Sequence, residues 1–230
     1  GNWRRMYWTE NGNLRRLDIG NQSTTQTLAQ NVLNYTFADN RILYIVSSKP
    51  TSRLFVMDDD GSNQQSLVTD LPQSATYDLD YFTYINVPQA TVTAIDSGRV
   101  MLYGDAFNAD RRTVTTINTP AASALVNADG RFILLQDPTH LATYDLELKR
   151  LTPFKAPDNA VTGLSWFDNY HIQYNRDGQI VMAEYDGNYA VATTRGNALP
   201  PTNSADTKFI LVPATTSSGN AQIKAIKIRQ

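Results

Sequence analysis

Asp39-Asn40-Arg41-Ile42-Leu43-Tyr44 and Asp129-Gly130-Arg131-Phe132-Ile133-Leu134 are two copies of one short pattern. A turn of acid, amide or glycine leads into a basic residue and then an apolar strand. Asp and Asn hydrogen-bond their own backbone in turns, and Gly supplies positive φ. The pattern returns at Ser97-Gly98-Arg99-Val100-Met101-Leu102 and more loosely at Asp168-Asn169-Tyr170-His171-Ile172 and Asp206-Thr207-Lys208-Phe209-Ile210. Arg4-Arg5-Met6-Tyr7-Trp8 fills the same slot at the start. A second strand follows each copy: Leu14 to Asp18, Leu54 to Asp58, Val114 to Asn118, Leu141 to Asp145, Ile180 to Asp186 and Ile223 to Ile228.

Four of the five steps between units are roughly 32 to 39 residues, close to the span of a four-stranded propeller blade. Apolar stretches are short, rich in Val, Ile, Tyr, Phe and Thr, and helical periodicity is nearly absent. The chain is therefore expected to be all-β: a propeller of six blades, each of about four antiparallel strands, with five or seven as the alternatives. One domain is expected over residues 1–230. The step from Arg41 to Arg99 is longer by about half a blade. That excess is assigned to an insertion at about residues 74–87. The first unit lacks an innermost strand and the last an outer one, so the termini are expected to complete each other's blades or to be completed from outside.

The composition suits a folded protein: 41% hydrophobic and 18% charged residues over 230 positions. A net charge of −2 gives no electrostatic reason to expect nucleic acid or an anionic membrane surface. Zero cysteines exclude disulfides, thiolate metal sites and a cysteine nucleophile. No run is long enough for a membrane-spanning helix, and no signal peptide is present. The chain opens Gly1-Asn2-Trp3 without methionine. It is read as a piece of a longer protein, with any targeting or anchoring segment lying outside it.

Two segments carry a family resemblance. Leu54-Phe55-Val56-Met57-Asp58-Asp59-Asp60-Gly61-Ser62-Asn63-Gln64-Gln65-Ser66-Leu67 resembles the third strand, turn and fourth strand of a TolB-like (PD40) propeller repeat. Met6-Tyr7-Trp8-Thr9-Glu10 resembles the YWTD-type repeat, with Glu in place of the final Asp. The other units share spacing more than letters. The resemblance implies a propeller that binds proteins and, in bacteria, is often exported.

Motifs for chemistry are sparse. Asp58-Asp59-Asp60-Gly61 has the oxygens a calcium ion wants, but lacks the twelfth-position Glu of an EF-hand and reads as a β-turn. Only His140 and His171 exist, so a three-histidine zinc site is excluded. Gly163-Leu164-Ser165-Trp166-Phe167 lacks the closing glycine of a nucleophile elbow, and there is no phosphate-binding loop. Asn21-Gln22-Ser23 and Asn34-Tyr35-Thr36 match the glycosylation pattern, which arises often by chance. No catalytic residue, metal ligand or cofactor is expected.

The binding residues expected are Tyr77, Asp78, Asp80, Tyr81 and Tyr84 of the insertion, because irregular loops carry binding while blades build scaffold. Aromatics beside acids suit sugars or peptides; the plainer alternative is that the tyrosines pack the segment down. Trp166, before a turn, is divided between lining a channel mouth and packing the core; Trp8 reads as core and Trp3 as ordered only on ring closure. The function expected is a non-catalytic, extracytoplasmic module, periplasmic or at the cell surface, anchored through a segment outside this chain, that docks a protein or envelope polymer. The alternative is a lactonase- or glycosidase-like enzyme, metal-dependent in one version, with Asp39, Asp96, Asp129 and Asp168 gathered at a channel mouth.

Overall fold

The computed structural model describes residues 5–19, 24–137, 140–155, 161–195, 202–203, 209–216 and 218–227. Trp3, Arg4, Asn21-Gln22-Ser23, Asp206-Thr207-Lys208 and the end of the last expected strand lie outside the described residues. The chain forms two compact units, Gly1–Ala122 and Ser123–Gln230.

The first unit holds three antiparallel sheets, each built from strands consecutive in sequence. β1 (Arg5–Glu10), β2 (Asn13–Asp18) and β3 (Thr24–Ala29) make a three-stranded sheet. β4 (Val32–Ala38), β5 (Arg41–Ser48), β6 (Thr51–Asp58) and β7 (Gln65–Leu71) make the second. β8 (Tyr77–Tyr84), β9 (Val87–Ala94), β10 (Arg99–Gly104) and β11 (Thr113–Ile117) make the third. The second unit repeats the plan. β12 (Ser123–Val126), β13 (Phe132–Gln136), β14 (His140–Asp145) and β15 (Arg150–Lys155) form one sheet. β16 (Thr162–Trp166), β17 (His171–Arg176), β18 (Gln179–Glu184) and β19 (Val191–Arg195) form the next. β20 (Thr202–Asn203), β21 (Phe209–Thr215) and β22 (Ala221–Lys227) form the last.

Neighbouring sheets inside each unit stack face to face because their strands are apolar on both sides. Leu43, Ile45, Leu54, Val56 and Leu67 of the second sheet bury against Tyr77, Leu79, Ala90, Val92 and Met101 of the third. Leu14 and Leu28 meet Ile42, Tyr44 and Met57 on the other side. In the second unit Leu134 and Leu141 face Leu164, Ile172, Tyr174 and Val181, and Ile180 faces Ile210 and Val212. Each such Leu, Ile, Val or Met contributes about 1.5–3 kcal/mol on full burial.

The expected insertion is not one. Tyr77–Tyr84 is the regular first strand of the third sheet, paired with β9 along its whole length. Arg99 opens the third strand of that sheet rather than the second, and Val114 lies in the outermost strand. The true second strand, β9, reads Val-Pro-Gln-Ala-Thr-Val-Thr-Ala. Its buried row is built from Ala90, Thr91, Val92, Thr93 and Ala94, so no long apolar run advertises it. Its turn is Ile85-Asn86, both at positive φ (48° and 60°), the geometry of a type I′ hairpin without the usual glycine. With β9 restored, the second strands start at Arg41, Val87, Phe132, His171 and Phe209 at near-even intervals. Asp58-Asp59-Asp60-Gly61 is the turn after β6, where Gly61 takes φ 91° and an added Cβ would lie 2.9 Å from the Leu28 side chain.

Candidate functional site

In the first unit β4 and β8 run side by side. The Asn34 side-chain amide donates to the Tyr77 carbonyl, and farther along the Tyr81 hydroxyl donates to the Asp39 carboxylate. The β4–β5 and β8–β9 turns therefore share one end of these two sheets. Arg41, first residue of β5, lies with its guanidinium 3.9 Å from the centre of the Phe107 ring, and Phe107 is 5.6 Å from the Tyr81 ring. Phe37 and Ile85, at the same end, are 47% and 73% exposed. Two sheets thus bring together a cation, two aromatic rings and an exposed aliphatic tip, while Phe37 lies on the opposite face of β4 against Tyr7 and Tyr35. Arg41 forms no ion pair among the described residues.

Side chains along β8 alternate between faces. Tyr77, Leu79 and Tyr81 turn toward the second sheet, and Tyr77 is 4% exposed with its hydroxyl donating to the Pro72 carbonyl. Tyr77 is thus a packing residue, in line with the plainer alternative. Asp78, Asp80 and Tyr84 share the opposite face and are half-buried. Burial pushes the Asp80 carboxyl up; the Tyr81 backbone N–H lowers it and the neighbouring Asp78 charge raises it again. Burial also raises the Tyr81 phenol. Tyr81 is thus the β8 aromatic that the structure joins, through Phe107, to Arg41. Arg41 and Phe107 escaped the sequence reading because Arg41 was absorbed into the repeat and Phe107 sits in a β10–β11 turn without motif.

Trp166 belongs to the second unit and packs between sheets. Its indole N–H donates to the Leu125 carbonyl at 2.7 Å, and its ring stacks 6.3 Å from Phe132. Of the acids expected around a channel mouth, Asp39 and Asp96 lie at opposite ends of their sheets, because Asp96 precedes a third strand instead of a second. Asp129 accepts from the Arg131 backbone, and Asp168 accepts from the Tyr170 and His171 backbone and pairs with the His171 ring at 2.8 Å. His140 sits against Asp137 in the same i, i+3 manner. The carboxylates after β6 are engaged too: Asp59 by Arg5, Asp60 by Ser62 and Asp58 by Asn63. Among the described residues no three acids or histidines converge in a metal-binding group. No helix there is long and apolar enough to cross a membrane.

No family model matches the chain, and no curated protein matches it. Solved structures do. NirN, a dihydro-heme d1 dehydrogenase in complex with DHE, aligns with a TM-score of 0.66 at 13% identity over 97% of this chain and 52% of its own. TolB from Acinetobacter baumannii aligns at 0.54 and 13% identity over 96% and 60%. The nidogen/laminin complex aligns at 0.51 and 10% identity over 84% and 78%. The chain thus spans little more than half the length of the first two. At these identities the likeness speaks for architecture alone, and it shows a chain with the fold of the TolB-like and YWTD β-propellers.

Proposed function

We propose that this chain is a non-catalytic docking module: a propeller, one sheet to each of six blades and both units within one domain, that works outside the cytoplasm. The observation that carries the reading is Arg41. It is a half-buried guanidinium seated on Phe107, beside Tyr81 and at the same end of the sheets as the exposed Ile85, with no carboxylate of the described chain bound to it. Arginine and aromatic residues dominate the energetics of protein interfaces, and a pre-positioned arginine gains most from a partner's carboxylate. The partner class is accordingly a protein presenting Asp, Glu or a chain terminus within an apolar surround. Asp78, Asp80 and Tyr84, on the other face of β8, form the flank of this surface in our reading, and Trp166 acts as a scaffold residue. TolB and the nidogen/laminin complex lend support as propellers of the same architecture, one of them solved with a protein partner.

The test is affinity capture from the envelope or secreted fraction of the source cells, using the protein and its Arg41→Ala/Ile85→Ser variant. A protein retained by the first and lost by the second, with both equally folded, is the expected result. Retention of the same proteins by both would place docking elsewhere.

A further inference from the structure

At the other end of the same two sheets the apolar interface opens into a polar cavity of about 450 Å³. Its walls are the β5–β6 hairpin, the β7–β8 connection and the one-turn 3₁₀ helix Ile95–Ser97. The inward row of β5 runs Leu43, Ile45, Ser47, and that of β6 runs Val56, Leu54, Ser52. Ser47 and Ser52 are direct cross-strand partners, so two hydroxyls stand side by side where the two apolar rows end.

Ser52 is only 5% exposed as a residue, and its hydroxyl, which no group among the described residues bonds, is not enclosed by protein and opens on the cavity. The Ser47 hydroxyl and the Gln73 amide, both on the cavity wall, are equally unengaged, and Lys49 makes no ion pair there. Across from the β5–β6 hairpin, Asp96 accepts from the Ala75 backbone through one carboxylate oxygen, and its own N–H donates to Ser74, whose hydroxyl donates to the Thr76 carbonyl. That wall is tied together by hydrogen bonds, while Ser47, Lys49, Ser52 and Gln73 keep donors open to the cavity.

We infer that this cavity binds a hydroxyl-rich carboxylate, the uronic acid unit of an acidic polysaccharide. Lys49 and Gln73 supply donors for the carboxylate. Ser47, Ser52 and the second oxygen of Asp96 match ring hydroxyls, which both give and accept. A zwitterionic amino acid would engage Lys49 and Asp96 and leave the two serines and Gln73 unmatched. The volume suits one sugar ring with its first solvent shell. This site is separate from the Arg41 cluster and stands or falls independently of the protein-docking reading.

The experiment is a titration of the isotope-labelled protein with sodium glucuronate, glucose and sodium acetate, read by backbone amide shifts. Glucuronate is expected to move the amides of Ser47, Lys49, Ser52, Ser74 and Asp96 saturably at millimolar concentration. Glucose and acetate are expected to bind about tenfold more weakly or worse, the loss of one charge-assisted bond. Lys49→Ala and Ser52→Ala should each abolish saturation, while Ser52→Ala keeps the melting temperature because its hydroxyl bonds nothing in the unliganded protein. No shift with glucuronate, or the same shifts with acetate alone, overturns the proposal.

Discussion

Arg41 opens β5 and Arg131 immediately precedes β13, the second strands of two sheets of the same plan, yet the two arginines have opposite fates. Arg131 bonds Asp145 at 2.8 Å and Glu147 at 2.7 Å, and lies 4.9 Å from the Phe132 ring. Its neighbourhood is closed: Phe132 stacks on Tyr185 and Trp166, and Trp166 donates to Leu125. In the other sheet the acid across the strand pair from Arg41 is Asp58, and its carboxylate is held by the Asn63 amide at 2.6 Å. Arg41 is left to lie on Phe107. One sheet spends its arginine on its own stability, whereas the other keeps the same residue available. A repeat fold can therefore specialise one unit by redirecting a single carboxylate.

The contrast breaks most sharply at Asp145, which is 5% exposed and also accepts from the Glu147 and Leu148 backbone. Asp145→Asn should cost about 2–3 kcal/mol, since a hydrogen-bonded buried charge pair loses one member. In a chain of this size that lowers Tm by roughly 5–10 °C, read by calorimetry. Burial alone would raise the Asp145 carboxyl, but the Arg131 bonds and two backbone N–H groups outweigh it and hold it below 3.8. Its contribution is thus fully present above that ordinary value and is lost as the pH falls through the lower folded value. A melting series against pH should show an acid limb that is shallower in the variant.

Trp166→Phe tests the closed neighbourhood at a second point. It leaves the Leu125 carbonyl without its donor and should cost about 1–2 kcal/mol, visible as a lower urea midpoint. On the open side, Arg41→Ala is expected to cost about 0.5 kcal/mol or less, the loss of an exposed-side cation–π contact. An equal loss at Arg41 and Arg131 would erase the distinction. Asn63→Ala sharpens it: freed from the amide, Asp58 should turn to Arg41. Stability would change by only about 0.5 kcal/mol, while partner capture through Arg41 falls. Asp80→Asn has the smallest expected effect and the opposite sign. The raised carboxyl disfavours the charged folded form, so at neutral pH the amide should gain a few tenths of a kcal/mol, a gain that vanishes at pH values low enough to protonate Asp80 in both states.

The repeat was legible where strands were apolar and turns carried Asp, Asn or Gly, as at Arg41 and Phe132. It failed at β9, because a strand buried on both faces against close neighbours can be made of Ala and Thr. Reading Arg99 as a second strand then created an insertion and moved Asp96 to the wrong end of its sheet. The aromatic residues of Tyr77–Tyr84 were read as one group, but their period of two divides them between core and surface, which only pairing reveals. Phe107 and Ser52 carry no motif at all. Their interest arises from Arg41, which meets Phe107 between sheets, and from Ser47, which pairs with Ser52 across strands.

The two short sheets end in strands with one paired side among the described residues, β3 and β22. Such a margin is a template onto which another molecule can add a strand, the route to fibres and to swapped dimers. β3 meets solvent with Thr24, Thr25, Gln26 and Thr27, and β22 sets Lys224 and Lys227 beside its exposed Ile223. Stacking a second copy in register would bring like charges together at every repeat. On such a margin those two lysines would act as gatekeepers, and replacing them with valine is expected to favour strand addition between copies.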